Sequence, residues 1–294
     1  MDTLRRALDS DIFFSFRRSP VVVISAVVTI LFFAGAIFAP FIAPQNPFDL
    51  RQLNLMDASL PPSWAPDGDP RYPLGTDTQG RDVFSTILFG SRISLLVGIL
   101  SVVFAMVMGI ALGLIAGYVG GTVDAVIMRI ADVQLSFPAI LIALVLLAVF
   151  GQGTGKIVVA LVVIQWAYYA RTVRASALVE RRKEYVEAAQ CLALPQRRIL
   201  FRHILPNCLP PLIVVGTIQI ANSIALEATL SFLGVGLPIT EPSLGLLIAN
   251  GFEYILSGVY WISFFPGVAL LVTIVSINLV GDRLRDVLNP RLQK

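Results

Sequence analysis

The sequence consists largely of long apolar stretches that carry no charge, and this feature leaves few folds open to the chain. The run from Pro20 to Phe41 has no charged residue, and a helix needs about 20 apolar residues to cross a bilayer. Only 14% of the 294 residues are charged, whereas soluble domains have about 25%. Because every backbone polar group in lipid must be paired within the chain, we expect an all-α integral membrane protein.

Six transmembrane helices are predicted, with Pro138 kinking the third. The predicted spans are 20–43, about 94–118, 122–150, 157–170, 209–233 and 260–281. A cleavable signal peptide is the alternative for the first, but its apolar core would be only about 7–15 residues long. The apolar stretch 243–256 is too short to cross a bilayer, so we interpret it as an interfacial or re-entrant segment.

The basic residues predict the orientation of these spans. Sixteen of the 22 lysines and arginines lie in residues 1–19, 171–202 and 283–294. With six spans these segments fall on one side, which the positive-inside rule makes cytoplasmic. Both termini are therefore expected in the cytoplasm. Because the positive charge flanks membrane spans instead of covering a soluble face, it is not a nucleic-acid signature.

Small residues recur every fourth position along the second predicted span. They are Ser101, Ala105, Gly109, Gly113 and Gly117. Residues four apart share one helix face, and small side chains let two membrane helices approach closely. We expect this stripe to be a packing seam.

The segment from Glu184 to Asn207 is a polar, basic island between two apolar spans. Residues from about Arg171 to Cys191 contain no proline or glycine, so they are expected to form one helix. Pro195 suits the first position of a second helix. Ala188 and Ala189 would leave a shallow surface that another protein's groove can approach closely.

This island resembles the cytoplasmic coupling loop of ABC importer permeases, whose pattern joins Glu-Ala-Ala to a later Leu-Pro. The matching residues are Glu187, Ala188, Ala189, Leu205 and Pro206. Ala193 stands where that family usually has glycine, which suggests a bend without a positive φ. Residues 74–77, 80–82 and Ser85 resemble a signature of the dipeptide, oligopeptide and nickel permeases.

The resemblance implies a type I importer permease fold in the cell inner membrane and a set of partners. These are a homologous permease, two ATP-binding subunits, an exoplasmic substrate-binding protein and the lipid bilayer, without nucleic acid. ATP and magnesium would be bound by the ATP-binding subunits, and this chain would hold no cofactor or metal. The residues implied in ATPase coupling are Glu184, Glu187, Ala188, Ala189, Ala193, Leu205 and Pro206.

Composition and the resemblance together divide the chain into five predicted regions. They are a cytoplasmic arm (1–19), a first transmembrane helix (20–43), an exoplasmic loop (44–90), a permease domain (91–282) that contains the coupling loop 171–206, and a cytoplasmic tail (283–294).

The fifth span carries a polar face that allows two interpretations. Gln219, Ser223, Glu227 and Ser231 are spaced by four, and Asn222 lies beside them. Polar groups within a membrane span normally face the interior of the bundle or a wet cavity. These residues could therefore line a translocation pathway, or they could form a buried hydrogen-bond network between helices.

Catalysis by this chain is not expected. Residues 151–156 are glycine-rich, but Phe150 and Ile157 replace the glycine and the hydroxyl residue that a phosphate-binding loop requires. Within the importer family, a peptide, nickel-chelate or glutathione substrate remains open. A secondary carrier is an alternative, although its repeated halves are not visible, and an uncoupled channel or scaffold would leave the spacing of the island unexplained.

Overall fold

The computed structural model describes residues 19–49, 51–238, 241 and 243–288. Across these residues the only β pairing is an isolated bridge between Thr76 and Asp82, so the predicted all-α class is confirmed. Nearly all of the predicted arm 1–19, Pro242 and the end of the tail, 289–294, lie outside the described residues.

Eleven α-helices make up most of the described chain. In order they are α1 (Pro20–Ile37), α2 (Ala39–Ile42), α3 (Val83–Val119), α4 (Gly121–Leu135), α5 (Ala139–Phe150), α6 (Thr154–Glu180), α7 (Glu184–Cys191), α8 (Gln196–Arg198), α9 (Leu205–Phe232), α10 (Leu244–Phe252) and α11 (Trp261–Leu288). Short 3-10 turns cover Leu55–Asp57 and Ile255–Ser257, and a π-helical segment covers Ile199–Ile204.

Five stretches of the described chain are long and apolar enough to cross a membrane, and they include α1, α3, α6, α9 and α11. The pair α4 and α5 makes a sixth when it is counted as one broken span. The six-span prediction therefore agrees with this count. The short apolar stretch 243–256 contains α10, which is mostly buried.

The third span is broken at the predicted proline. Helices α4 and α5 meet at 93°, and Pro138 lies directly before α5. A proline disfavours helical geometry in the residue before it and offers no backbone donor, so the helix breaks here. Gln134 fastens the end of α4 to α6. Its side-chain amide donates to the carbonyls of Val163 and Ile164 and accepts from Trp166 Nε1 at 2.7 Å.

The small-residue stripe of α3 is buried, and its three glycines form the seam with α6. A Cβ atom added to Gly109 would lie 2.4 Å from Tyr169 Cβ, and one added to Gly113 would lie 2.6 Å from the Ala170 carbonyl oxygen. Backbone atoms cannot move aside as a flexible side chain can, so the two helices fit only because these positions lack a side chain. The packing-seam prediction is confirmed.

We expect Gly113→Ala to reduce the yield and melting temperature of the detergent-extracted protein, because the new methyl group must push α3 and α6 apart. Overpacking of this kind costs about 1–3 kcal/mol. Gly267→Ala in α11 is the matched control, since a Cβ there meets nothing within 4 Å. Equal melting temperatures for the two variants would contradict a tight seam.

The segment before α3 is folded onto the helices by hydrogen bonds. Asp82 caps α3 by accepting from the Ser85 backbone N–H at 2.8 Å, which explains why helix begins at Val83 instead of after the predicted loop 44–90. The Arg81 guanidinium forms a buried ion pair with Asp77 at 2.6 Å. Trp261 Nε1 of α11 donates to the Thr76 carbonyl at 3.0 Å. The signature of residues 74–85 thus anchors this segment.

The prediction of one helix from Arg171 to Cys191 is wrong. Helix α6 ends at Glu180, and Lys183 has an extended backbone before α7 begins. After the break, α7 buries Val186 and Ala189 in the same apolar cluster as Val173 and Ala177 of α6.

Candidate functional site

Helix α7 and the turn after it form a compact unit at the end of the bundle where α6 finishes. The Leu194 N–H donates to the Ala189 carbonyl, and the Ala193 N–H donates to the Gln190 carbonyl. These two bonds form a Schellman motif, which closes a helix with one residue in the left-handed region. The chain then reverses and enters α8 at Gln196.

Ala193 occupies that left-handed position with φ of 51°. The expectation of a bend without a positive φ is therefore wrong. The backbone keeps the left-handed geometry that favours glycine, and the alanine Cβ makes it cost about 1–2 kcal/mol. We expect glycine to be accommodated here without that strain.

Helix α7 has two faces. Val186 and Ala189 face inward and belong to the same apolar cluster as Val173 and Ala177 of α6. The outward face is defined by Glu184, Glu187, Ala188 and Cys191, all of which are exposed. Their spacing of three and four places them along one side of the helix.

Ala188 and Ala189 are expected to leave a shallow surface for a partner, but Ala189 is only 5% exposed and packs against its own chain. Its methyl group is needed to pack α7 on its own bundle. Ala188 is the small exposed residue that a partner groove could approach.

The π-helical segment joins this unit to α9. Leu205 N–H donates to the Leu200 carbonyl, five residues back, so the turn holds one more residue than an α-helical turn. Ile199 and Ile204 are buried there, and Leu205 packs against the same cluster. Pro206 is exposed in the first turn of α9, and it offers no backbone N–H within the continuous helical stretch Gln196–Phe232.

Tyr185 connects three helices at this site. Its hydroxyl donates to Glu180 at the end of α6 and accepts from Asn207 Nδ2 of α9 at 3.1 Å. Burial, together with the hydrogen bond to the Glu180 carboxylate, raises the pKa of Tyr185 to about 12. The hydroxyl is protonated at neutral pH, as in any tyrosine, and the raised pKa extends its role as a donor to more alkaline pH. Sequence reasoning missed this residue, because nothing in the spacing shows that Glu180 and Asn207 meet.

The surface around α7 combines positive charge with exposed apolar side chains. Leu192 is 74% exposed and Phe201 is 62% exposed. The surrounding basic residues are Arg181, Arg182, Lys183, Arg197, Arg198 and Arg202. A cleft of about 520 Å³ beside the unit is lined by residues that include Tyr118, Arg181, Gln190 and Gln196. Large exposed apolar groups rimmed by charged residues are typical of a surface that another protein covers.

The polar face of α9 is buried inside the chain. Glu227 is 0% exposed and accepts from Ser94 Oγ of α3 at 2.9 Å and from Ser231 Oγ at 2.7 Å. Ser223 Oγ accepts from Gln165 Nε2 of α6 at 2.6 Å and lies 3.2 Å from Ser101 Oγ of α3. The network therefore joins three helices.

Two of the five predicted pathway residues, Ser223 and Glu227, thus bond to side chains of other helices. The hydrogen bonds of Gln219 and Ser231 stay within α9. Four of the five are buried, namely Gln219, Ser223, Glu227 and Ser231. Neighbouring helices of the same chain cover this face of α9. Asn222 is the exception. It is exposed and donates to Gln219 Oε1 at 2.7 Å.

Comparison with known families gives two matches that together span most of the chain. Residues 109–294 match the model of the binding-protein-dependent transport system inner membrane component. Residues 10–62 match the N-terminal TM domain of oligopeptide transport permease C.

Curated relatives match at nearly full length. The dipeptide transport system permease protein DppC of Escherichia coli strain K12 is 44% identical over 280 residues, which cover 95% of this chain and 92% of the relative. The di/tripeptide transport system permease protein DppC of Pseudomonas aeruginosa strain UCBPP-PA14 is 36% identical over 258 residues, which cover 88% and 84%.

A solved structure supports the fold. A chain of the MetNI methionine ABC transporter, in inward-facing conformations, matches with a TM-score of 0.55 at 22% identity. The match covers 69% of this chain and 96% of that chain. The chain therefore shares the fold of that chain of the transporter.

Proposed function

The chain belongs to the family of binding-protein-dependent transport system inner membrane components, and we propose that it forms half of the membrane pathway through which an ATP-binding-cassette importer takes up dipeptides or oligopeptides. The other half would be a homologous permease. Two ATP-binding subunits would hold ATP and magnesium on the cytoplasmic side, and an exoplasmic binding protein would deliver the substrate. This chain would perform no catalysis.

The outward face of α7 is the observation that carries the coupling part of the proposal. Ala188 is exposed between Glu184, Glu187 and Cys191, while the inward face fixes α7 to the bundle. A partner that pushes on α7 would therefore move a packed unit and not a loose loop. Tyr185 and its bonds to Glu180 and Asn207 would transmit that movement to α6 and α9.

Peptides are proposed as substrates because several relatives are named as dipeptide or peptide permeases. Purification through a tag on this chain should recover a second permease and ATP-binding subunits. The reconstituted complex should accumulate labelled dipeptide only with ATP and the binding protein. Uptake of nickel or glutathione, without competition by dipeptides, would favour the alternative substrates and contradict this assignment.

The proposed orientation has both termini and α7 in the cytoplasm and residues 44–82 outside. We expect a cysteine at Asp67 to react with a membrane-impermeant thiol reagent in intact cells, and a cysteine at Arg182 to react only after permeabilisation. Both positions are exposed in the chain, so side-chain burial cannot cause the difference. Cys191 and Cys208 should first be replaced by serine and alanine, and the reverse labelling pattern would contradict the orientation.

A further inference from the structure

A groove between α1 and α3 contains an arginine on an otherwise apolar surface. The groove has a volume of about 310 Å³, and its lining includes Phe33, Ile37, Arg92, Leu96 and Leu100. Arg92 is its only ionisable lining residue. Its side chain is exposed, and within the described part of the chain it forms no ion pair or hydrogen bond.

The length of α1 indicates the depth of this arginine in the membrane. Its 18 residues span about 27 Å at 1.5 Å per residue, close to the roughly 30 Å of the hydrocarbon core. Its last residue, Ile37, is therefore near the boundary between acyl chains and headgroups. Arg92 lines the same groove as Ile37, so we place the guanidinium near the level of the headgroups.

The groove continues from Arg92 toward the centre of the membrane. Leu96 and Leu100 follow one and two turns along α3, so Leu100 lies about 12 Å further along the helix axis. Leu96 and Leu100 are partly exposed on this surface, and Ala36 and Leu95 are buried beneath it. The surface has a cation at the headgroup end and an apolar channel below it, which is the arrangement of a phospholipid's phosphate and acyl chain.

We propose that this groove binds an anionic phospholipid, with the phosphate on Arg92 and an acyl chain along Phe33, Leu96 and Leu100. A guanidinium can bind a phosphate through two parallel hydrogen bonds. Phosphatidylethanolamine carries an ammonium group, and the lining offers no carboxylate to pair with it. Phosphatidylglycerol, which has a net negative charge and no ammonium group, therefore binds better. The site lies in the exoplasmic leaflet under the proposed orientation, but lipid binding itself does not depend on coupling to an ATPase.

The test is a lipid titration of the purified complex by native mass spectrometry, with phosphatidylglycerol and phosphatidylethanolamine as probes. Arg92→Gln keeps a long polar side chain and removes the charge. A basic residue near a membrane surface contributes about 1 kcal/mol to binding of anionic lipid, so the variant should bind phosphatidylglycerol about fivefold more weakly. Lys156→Gln is the control, because Lys156 is also basic and exposed but lies outside the groove. This variant should bind phosphatidylglycerol as the wild type does.

Binding of phosphatidylglycerol by Arg92→Gln within twofold of the wild type would overturn the site. Equal wild-type affinity for the two lipids would overturn the headgroup assignment. A photo-reactive amino acid at Leu96 gives a second measurement that leaves Arg92 intact. In native membranes it should form adducts with phospholipid, and an adduct with a partner permease would show that this groove is a protein interface instead.

Discussion

Replacing Glu227 with alanine is expected to cause a large loss of folded protein, although the residue touches no solvent. The substitution leaves the buried hydroxyls of Ser94 and Ser231 without their acceptor and opens a cavity between α3 and α9. Each unpaired buried group costs about 1–3 kcal/mol, and the cavity adds to this. We expect a total of about 3–5 kcal/mol, which is a large part of a typical protein's stability.

The yield of monodisperse protein and its melting temperature measure this effect. Glu227→Gln keeps one carbonyl acceptor and the volume of the side chain, so most of the stability should remain. Thr229→Ala is the control, because this exposed threonine of the same helix bonds only its own backbone. A stable Glu227→Ala protein, or a Glu227→Gln complex that assembles but does not transport, would favour a functional pathway face over a packing network.

Replacing Ala188 with tryptophan is expected to abolish most of the transport while leaving the membrane bundle folded. The side chain is exposed on the outward face of α7, so the chain itself has room for an indole ring. A closely fitting partner would not have that room. Overpacking by about 1–3 kcal/mol would weaken docking roughly 5- to 150-fold, and stimulated ATP hydrolysis should fall with transport.

Val179→Trp is the matched control for Ala188→Trp, because Val179 is also exposed but lies on α6. Ala189→Trp would not be a clean test, since Ala189 is buried and the larger side chain would damage the chain's own packing. Glu187→Ala should have only a mild effect, because an exposed charge pair contributes about 0–1 kcal/mol. Normal transport by Ala188→Trp in a complex that contains its ATPases would contradict the proposed coupling surface.

The membrane spans and the seam of α3 could be predicted because they follow from local rules. Apolar length identifies a span, and glycine every fourth residue marks a face that another helix can approach. The bend at Pro138 also follows from a local rule, because a proline disrupts helical geometry in the residues next to it. These features needed no knowledge of what lies across the bundle.

The rest depends on contacts between distant parts of the chain. Helical spacing shows that Ser223 and Glu227 share a face, but it does not show that Ser94 and Gln165 cover that face. It places Ala188 and Ala189 side by side without deciding which one turns inward. The left-handed Ala193 was missed because residue type argued against it, whereas the Schellman bonds and the packing of Leu194 favour that conformation.

The most direct measurement for the coupling account is site-specific photo-crosslinking in the assembled transporter. A photo-reactive amino acid at Ala188 should form an adduct with an ATP-binding subunit, and one at Val179 should not. Ala188 is exposed on the outward face of α7, whereas Val179 is exposed on α6. If the complex contains both ATP-binding subunits and position 188 gives no such adduct, or if Val179 gives it instead, then α7 is not the element that couples this chain to ATP hydrolysis.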